Sequence, residues 1–166
     1  MRYITDFIIE LQQNYSSILY PDESKGRAFP SISYIDTKDA HFTNVFGHKV
    51  PEDLQSWWEK VNEAVLFKDV LYGQWGLNIL SIERAKQVTQ TEIEGFPLNY
   101  YPTDIIIGEF YGDVELLLIS CEEGRNFGKI YVVLETYGRK DWPMVANSFT
   151  EFITKYIQEE GNKFWD

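Results

Sequence analysis

The feature that most narrows the fold lies in the C-terminal third, where three apolar strand segments follow one another and end in a capped helix. The segments run from Asp104 to Phe110, from Val114 to Cys121 and from Lys129 to Tyr137, separated by the turn-rich stretches 111–113 and 122–128. Successive side chains of a strand point to opposite faces. Val114, Leu116 and Leu118 therefore face one way and Glu115, Leu117 and Ile119 the other; Ile130, Val132 and Leu134 oppose Tyr131, Val133 and Glu135. One face is fully apolar and must pack against helices, whereas the other is mixed and partly open. After Trp142 and Pro143, residues 146–156 read as an amphipathic helix. Ser148 and Glu151 there have capping-box spacing, in which each side chain satisfies the other residue's backbone N–H. Phe149, Phe152, Ile153, Tyr156 and Ile157 supply the stripe that closes over the sheet. These signals predict an α+β fold, a largely antiparallel sheet with helices packed on one face.

The upstream chain adds further elements. Ile4, Phe7, Ile8, Leu11 and Tyr15 recur at helical spacing. Pro51 suits a first helical turn, where its missing N–H needs no partner, and Glu52 and Asp53 complement the positive end of the dipole. Leu54, Trp57, Trp58, Val61 and Val65 then form one apolar face, which extends this predicted helix through Val65. Short strands are expected at 68–73 and 77–80 around the turn of Gln74, Trp75 and Gly76, followed by a helix from Ser81 through Val88. Gly95, Pro97 and Pro102 mark a connecting loop. The segment 21–47 reads as loop around an alternating stretch, Ser31–Ile35, and is the candidate insertion. With 166 residues the chain is expected to form a single domain over 1–166.

Composition excludes several classes of function. Fifteen basic against 26 acidic residues leave a net charge of −11. Such a field repels nucleic-acid backbones and anionic membrane surfaces, and it speeds encounter with a basic partner. Cys121 is the single cysteine, so no intrachain disulfide forms. It lies beside an apolar run with no cationic neighbour to activate it, which is the setting of a core thiol. Asp6 and Glu10 interrupt any apolar leader, and a cytoplasmic location is expected.

The order of motifs resembles the SUKH superfamily, named after a fungal cell-wall-assembly regulator. Val50–Leu54 resembles its proline–acid helix entry, and Gln74–Leu77 with Ile79 and Ser81–Glu83 its tryptophan–glycine turn. Residues 105–108, Gly112, Asp113 and 116–118 are similar to its central hairpin. Gly128–Val132 and the ending with Trp142, Val145, Ser148, Phe149, Glu151 and Phe152 resemble its last strand and closing helix. The likeness spans roughly Val50 to Tyr156; on it, Pro51, Trp57, Trp75, Gly76, Ser148, Phe149, Glu151 and Phe152 are structural motif positions. The resemblance implies a non-enzymatic binding domain. Bacterial members look like immunity proteins that cover a toxin's active site, and other members serve as regulatory modules. Many such toxins are nucleases with basic grooves, which an acidic inhibitor could occupy as a charge mimic.

Chemical sites are weakly indicated. His41 and His48, with Asp36 and Asp39, lack the convergent ligand spacing of zinc, so neither a metal nor a cofactor is expected. No nucleophile elbow or phosphate-binding glycine pattern occurs, and Gly108, Gly112 and Gly128 read as strand-end and turn glycines. Glu109, Asp113 and Glu115 could in principle serve hydrolysis, although turn and solvent roles account for them. The predicted partner surface is an acidic–aromatic sheet face of Glu109, Glu115, Tyr131, Glu135 and Tyr137 with the loop acids Asp113, Glu122 and Glu123. The expected function is an immunity or antitoxin-type protein that occludes a basic toxin domain, acting as a monomer or weak homodimer; a regulatory interaction module is the alternative.

Overall fold

Seven strands form one sheet in which spatial order equals chain order, β1 through β7, and every neighbouring pair is antiparallel. They are β1 (Ser31–Thr37), β2 (Val61–Asp69), β3 (Leu77–Ile79), β4 (Ile105–Phe110), β5 (Leu116–Ile119), β6 (Ile130–Val133) and β7 (Met144–Ala146). Four helices accompany them: α1 (Ile4–Asn14), α2 (Glu52–Lys60), α3 (Ile82–Gly95) and α4 (Phe149–Gln158). The computed structural model describes residues 2–166. The α+β, antiparallel reading of the sequence holds.

Strand register decides which side chains meet which layer. Leu66, Leu77 and Phe110 are cross-strand partners, and Leu117, Val132, Ile119 and Ile130 continue the same face. This face is buried under α1, α2 and α4: Trp57 of α2 meets Phe149 of α4 edge-on at 5.4 Å, and Tyr156 of α4 meets Phe67 of β2 at 5.8 Å. The helices gathered on one face are these three. α3 runs along the opposite face, where Thr89 Oγ1 accepts from the Ile106 N–H at 2.8 Å and Arg84 reaches Glu109 at 3.5 Å.

Two stretches differ from the sequence expectation. The helix expected through Val65 ends at Lys60, and the chain passes directly into β2, with Val61 already extended. Segment 38–40 makes this abrupt stop possible: the Lys38 N–H donates to the Lys60 carbonyl and the Ala40 N–H to that of Glu59, satisfying carbonyls that a helix end leaves orphaned. Val61 and Val65 keep helical spacing from Trp57 and Trp58, but Val61 pairs with Thr37 of β1, and Val65 with Tyr34 of β1 and Asn78 of β3, which claims both for the sheet. The strand expected at 68–73 is correspondingly the end of β2 plus a turn, in which the Asp69 carboxylate accepts from the Leu71 N–H at 2.9 Å. Residues 144–146 form β7, whereas helical periodicity had begun the last helix at Ala146.

The closing helix is capped with an offset. Ser148 Oγ accepts from the Glu151 N–H at 3.0 Å, while the Glu151 carboxylate accepts from the N–H of Asn147 at 2.6 Å, one residue earlier than a standard box. Asp53, in the first turn of α2, adds a tertiary cap by accepting from the Thr150 N–H at 2.9 Å. Beyond α4 the chain turns at Gly161, and the tail returns to the sheet. Phe164 and Trp165 pack on Phe152, and Trp165 also on Phe110.

Candidate protein-binding face

The side of the sheet that carries α3 is only partly covered, and its open part is built from β5, β6 and the 96–101 loop. Leu116 pairs with Val133, and Leu118 with Tyr131. Glu109 lies opposite Leu116, which places it on this face as well. A cleft of about 230 Å³ runs between loop and sheet, with Leu116 and Val133 as its floor, Phe96 and Tyr100 on the loop side, and the carboxylates of Glu92 and Glu135 beside it.

A buried ion pair holds the loop wall in place. Asp104, at the start of β4, has a fully buried carboxylate that takes both terminal nitrogens of Arg139 and also accepts from the Tyr101 N–H at 2.7 Å. Arg139 Nη1 donates in addition to the Asn99 carbonyl at 3.2 Å, and its guanidinium lies 3.9 Å from the centre of the Tyr101 ring. One cation thus joins the 138–142 turn, the 96–101 loop and β4. Burial raises the pKa of the Asp104 carboxyl, outweighing the opposing pull of Arg139 and of the Tyr101 N–H. Tyr100 donates to Glu92 at 2.9 Å and packs on Trp142; its phenol is pushed up by burial, then by that hydrogen bond, which holds its proton, and by the charge of the carboxylate. Cys121 is buried nearby, and desolvation, with a smaller contribution from Asp104, pushes its thiol up to about 12.

The residues singled out from the sequence divide among four places. Glu109, Tyr131 and Glu135 share the α3 face. Asp113 and Glu115 turn to the other side, where both bind Lys163 of the tail, at 2.6 and 2.8 Å. Burial lowers the Lys163 pKa, but the two carboxylate hydrogen bonds more than offset it, and the net shift is upward. Glu122 and Glu123 sit exposed in the β5–β6 loop, at the far end of β5 from Asp113. Tyr137 is exposed next to the Arg139 turn. Glu115 and Tyr131 therefore point to opposite faces, and the acidic–aromatic set is not one continuous surface.

Trp57, Phe149 and Phe152 are fully buried. Pro51 immediately precedes α2. Trp75 Nε1 donates to the Gly161 carbonyl at 2.9 Å, tying the turn to the tail. Gly76 has a φ of +119°, and a Cβ there would come within 2.8 Å of the Lys68 Cα. Arg139 and the tail lysine had no signal in the periodicity of the sequence; the paired aromatics Phe164 and Trp165 at the chain end were the one visible hint of tail docking. Among the described residues no three or more His, Cys, Asp or Glu side chains converge as a metal-holding group, and no helix is long and apolar enough to cross a membrane.

An all-antiparallel sheet with three helices behind it, one in front and a walled cleft on the front face describes a scaffold that presents a surface. The SMI1 / KNR4 family (SUKH-1) matches residues 40–155, which take in β2 through β7, α2, α3 and most of α4, and the chain belongs to this family. No individual curated protein matches it significantly. Membership supports a general role in toxin immunity or regulatory protein interaction, and the family is generally non-enzymatic. Helix α1 and strand β1 precede the matched stretch.

Proposed function

We propose that this chain is an immunity or antitoxin-type protein that neutralises a basic toxin domain, a nuclease being the best fit to its charge, by covering the toxin's active surface. The observation that carries this reading is a net charge of −11 on a scaffold of this family. Carboxylates on the surface steer a basic partner into encounter, and rigid rings and apolar side chains hold it after contact. Glu109, Tyr131 and Glu135 would contact the partner from the α3 face, Glu122, Glu123 and Tyr137 from its ends, and Asp113 and Glu115 from the tail side. The mechanism requires neither cofactor nor bond-making chemistry. The protein would act in the cytoplasm as a monomer or weak homodimer, with 21–47 as a subfamily-specific piece of a single domain.

Coexpression with candidate basic toxin domains, beginning with any encoded beside its gene, tests the proposal. Restored growth, with the two chains purifying together, is the expected outcome. Growth arrest despite soluble protein would reject it, and recovery of an endogenous regulatory complex in place of a toxin would favour the regulatory alternative.

A further inference from the structure

We infer that the cleft between the 96–101 loop and strands β5 and β6 is the docking slot for one apolar side chain of a partner segment that carries lysine or arginine on both sides of it. This inference rests on the protein-binding reading above and names the local chemistry of that contact.

Size points to the occupant first. At about 230 Å³ the cleft falls below the roughly 300–1,000 Å³ usual for small-molecule sites, and a side chain or two would fill it. Exposed apolar residues gather at the same place. Val114 at the start of the sheet wall is 66% exposed and Phe96 44% exposed, both on the cleft's lining, and Leu98, on the same loop but outside that lining, is 97% exposed. Water-facing apolar groups around an apolar floor of Leu116 and Val133 mark a contact site more strongly than any one of them alone.

Charge sets what flanks the inserted group. Glu92 and Glu135 line the cleft, and neither forms an ion pair among the described residues. By contrast, Asp104 is neutralised by Arg139, and Glu109 lies against Arg84. The cleft therefore offers unmatched negative charge on its lining around an apolar centre, the complement of a basic–apolar–basic segment. Because Arg139 fastens the loop through Asn99 and Tyr101, the wall is set before a partner arrives, which lowers the ordering cost of binding.

Two synthetic dodecapeptides test the slot on the ¹⁵N-labelled full chain, one with a central phenylalanine between lysines and one with the same phenylalanine between glutamates. The lysine peptide should shift the amides of Phe96, Leu98, Val114, Leu116 and Glu135 saturably, and raised salt should weaken it. Glu135→Lys should weaken it at least tenfold and Val114→Ser, which removes apolar contact without changing charge, severalfold; both side chains are exposed. Saturable shifts elsewhere, no saturable shift, or equal binding of the glutamate peptide would overturn the slot. The toxin reading is judged separately: if both variants still neutralise the toxin as the parent does, the slot fails while that reading stands. If the parent does not neutralise, that reading fails whatever the peptides do.

Discussion

Arg139 and Asp104 show how much depends on a single buried contact. Removing one partner of such a pair typically costs about 3–5 kcal/mol, since the other charge is left without compensation. Arg139→Ala is expected to lower stability by that order in chemical denaturation. The sign of its pH dependence follows from burial, which already raises the Asp104 pKa and would raise it further without the guanidinium. A carboxyl raised in the folded state contributes stability below its unfolded value, near 3.9, and loses it as pH rises towards the folded pKa. The deficit of Arg139→Ala relative to the parent should therefore shrink as pH is lowered from neutrality towards about 5. An unchanged deficit would mean that the carboxylate finds another partner. Cys121 gives an independent check at this scale. With its thiol pushed up to about 12 and its side chain buried, it should resist iodoacetamide in native protein at neutral pH and react on unfolding.

Among the elements, α4 and the tail hold the rear layer together. Ser148→Ala removes the hydroxyl that accepts from Glu151 and should cost about 1 kcal/mol, measurable as a lowered denaturation midpoint. The Glu151 carboxyl is held below its ordinary range by the Lys155 hydrogen bond first and the Asn147 N–H next. Its contribution is present above the unfolded carboxylate range and fades as pH falls through the lowered value. Gly161 has a φ of +85°, and an added Cβ would lie 2.4 Å from the Cβ of Phe67, itself held at a φ of +51°. Gly161→Ala should destabilise by on the order of 1–3 kcal/mol through overpacking and a left-handed backbone.

The elements also show which signals were legible in the sequence. An apolar run marked β4, alternation marked β5 and β6, and the serine–glutamate spacing marked the start of α4, because those patterns are local. The stop of α2 at Lys60 was hidden, since it depends on N–H groups from residues 38 and 40 and on strands paired from both sides. Strand β7, three residues long and set by pairing with β6, had no period of its own to reveal it.

For the whole molecule, charge and layering together determine what the surface can do. Three helices bury one sheet face, α3 covers part of the other, and the remaining front carries the cleft and its carboxylates. Alternation alone could not reveal this division. Glu115 and Tyr131 looked like members of one face, yet strand register sends Glu115 to the tail lysine and Tyr131 to the front. Arg139 reaches its partner across 35 residues of sequence, beyond any local pattern. The acidity was legible at once, because net charge needs no fold. Association with a basic partner should accordingly slow as salt is raised, with the effect concentrated in the on-rate, as stopped-flow measurement at several ionic strengths would show.

On the proposed function, the molecule acts by covering a partner. This is tested by the activity of a purified toxin domain that binds this protein, titrated with it at low and at raised salt. The expected result is a one-to-one end point at which toxin activity is lost, and weaker inhibition at raised salt. A bound complex that leaves the toxin fully active, or inhibition that persists at far less than one protein per toxin, would contradict it.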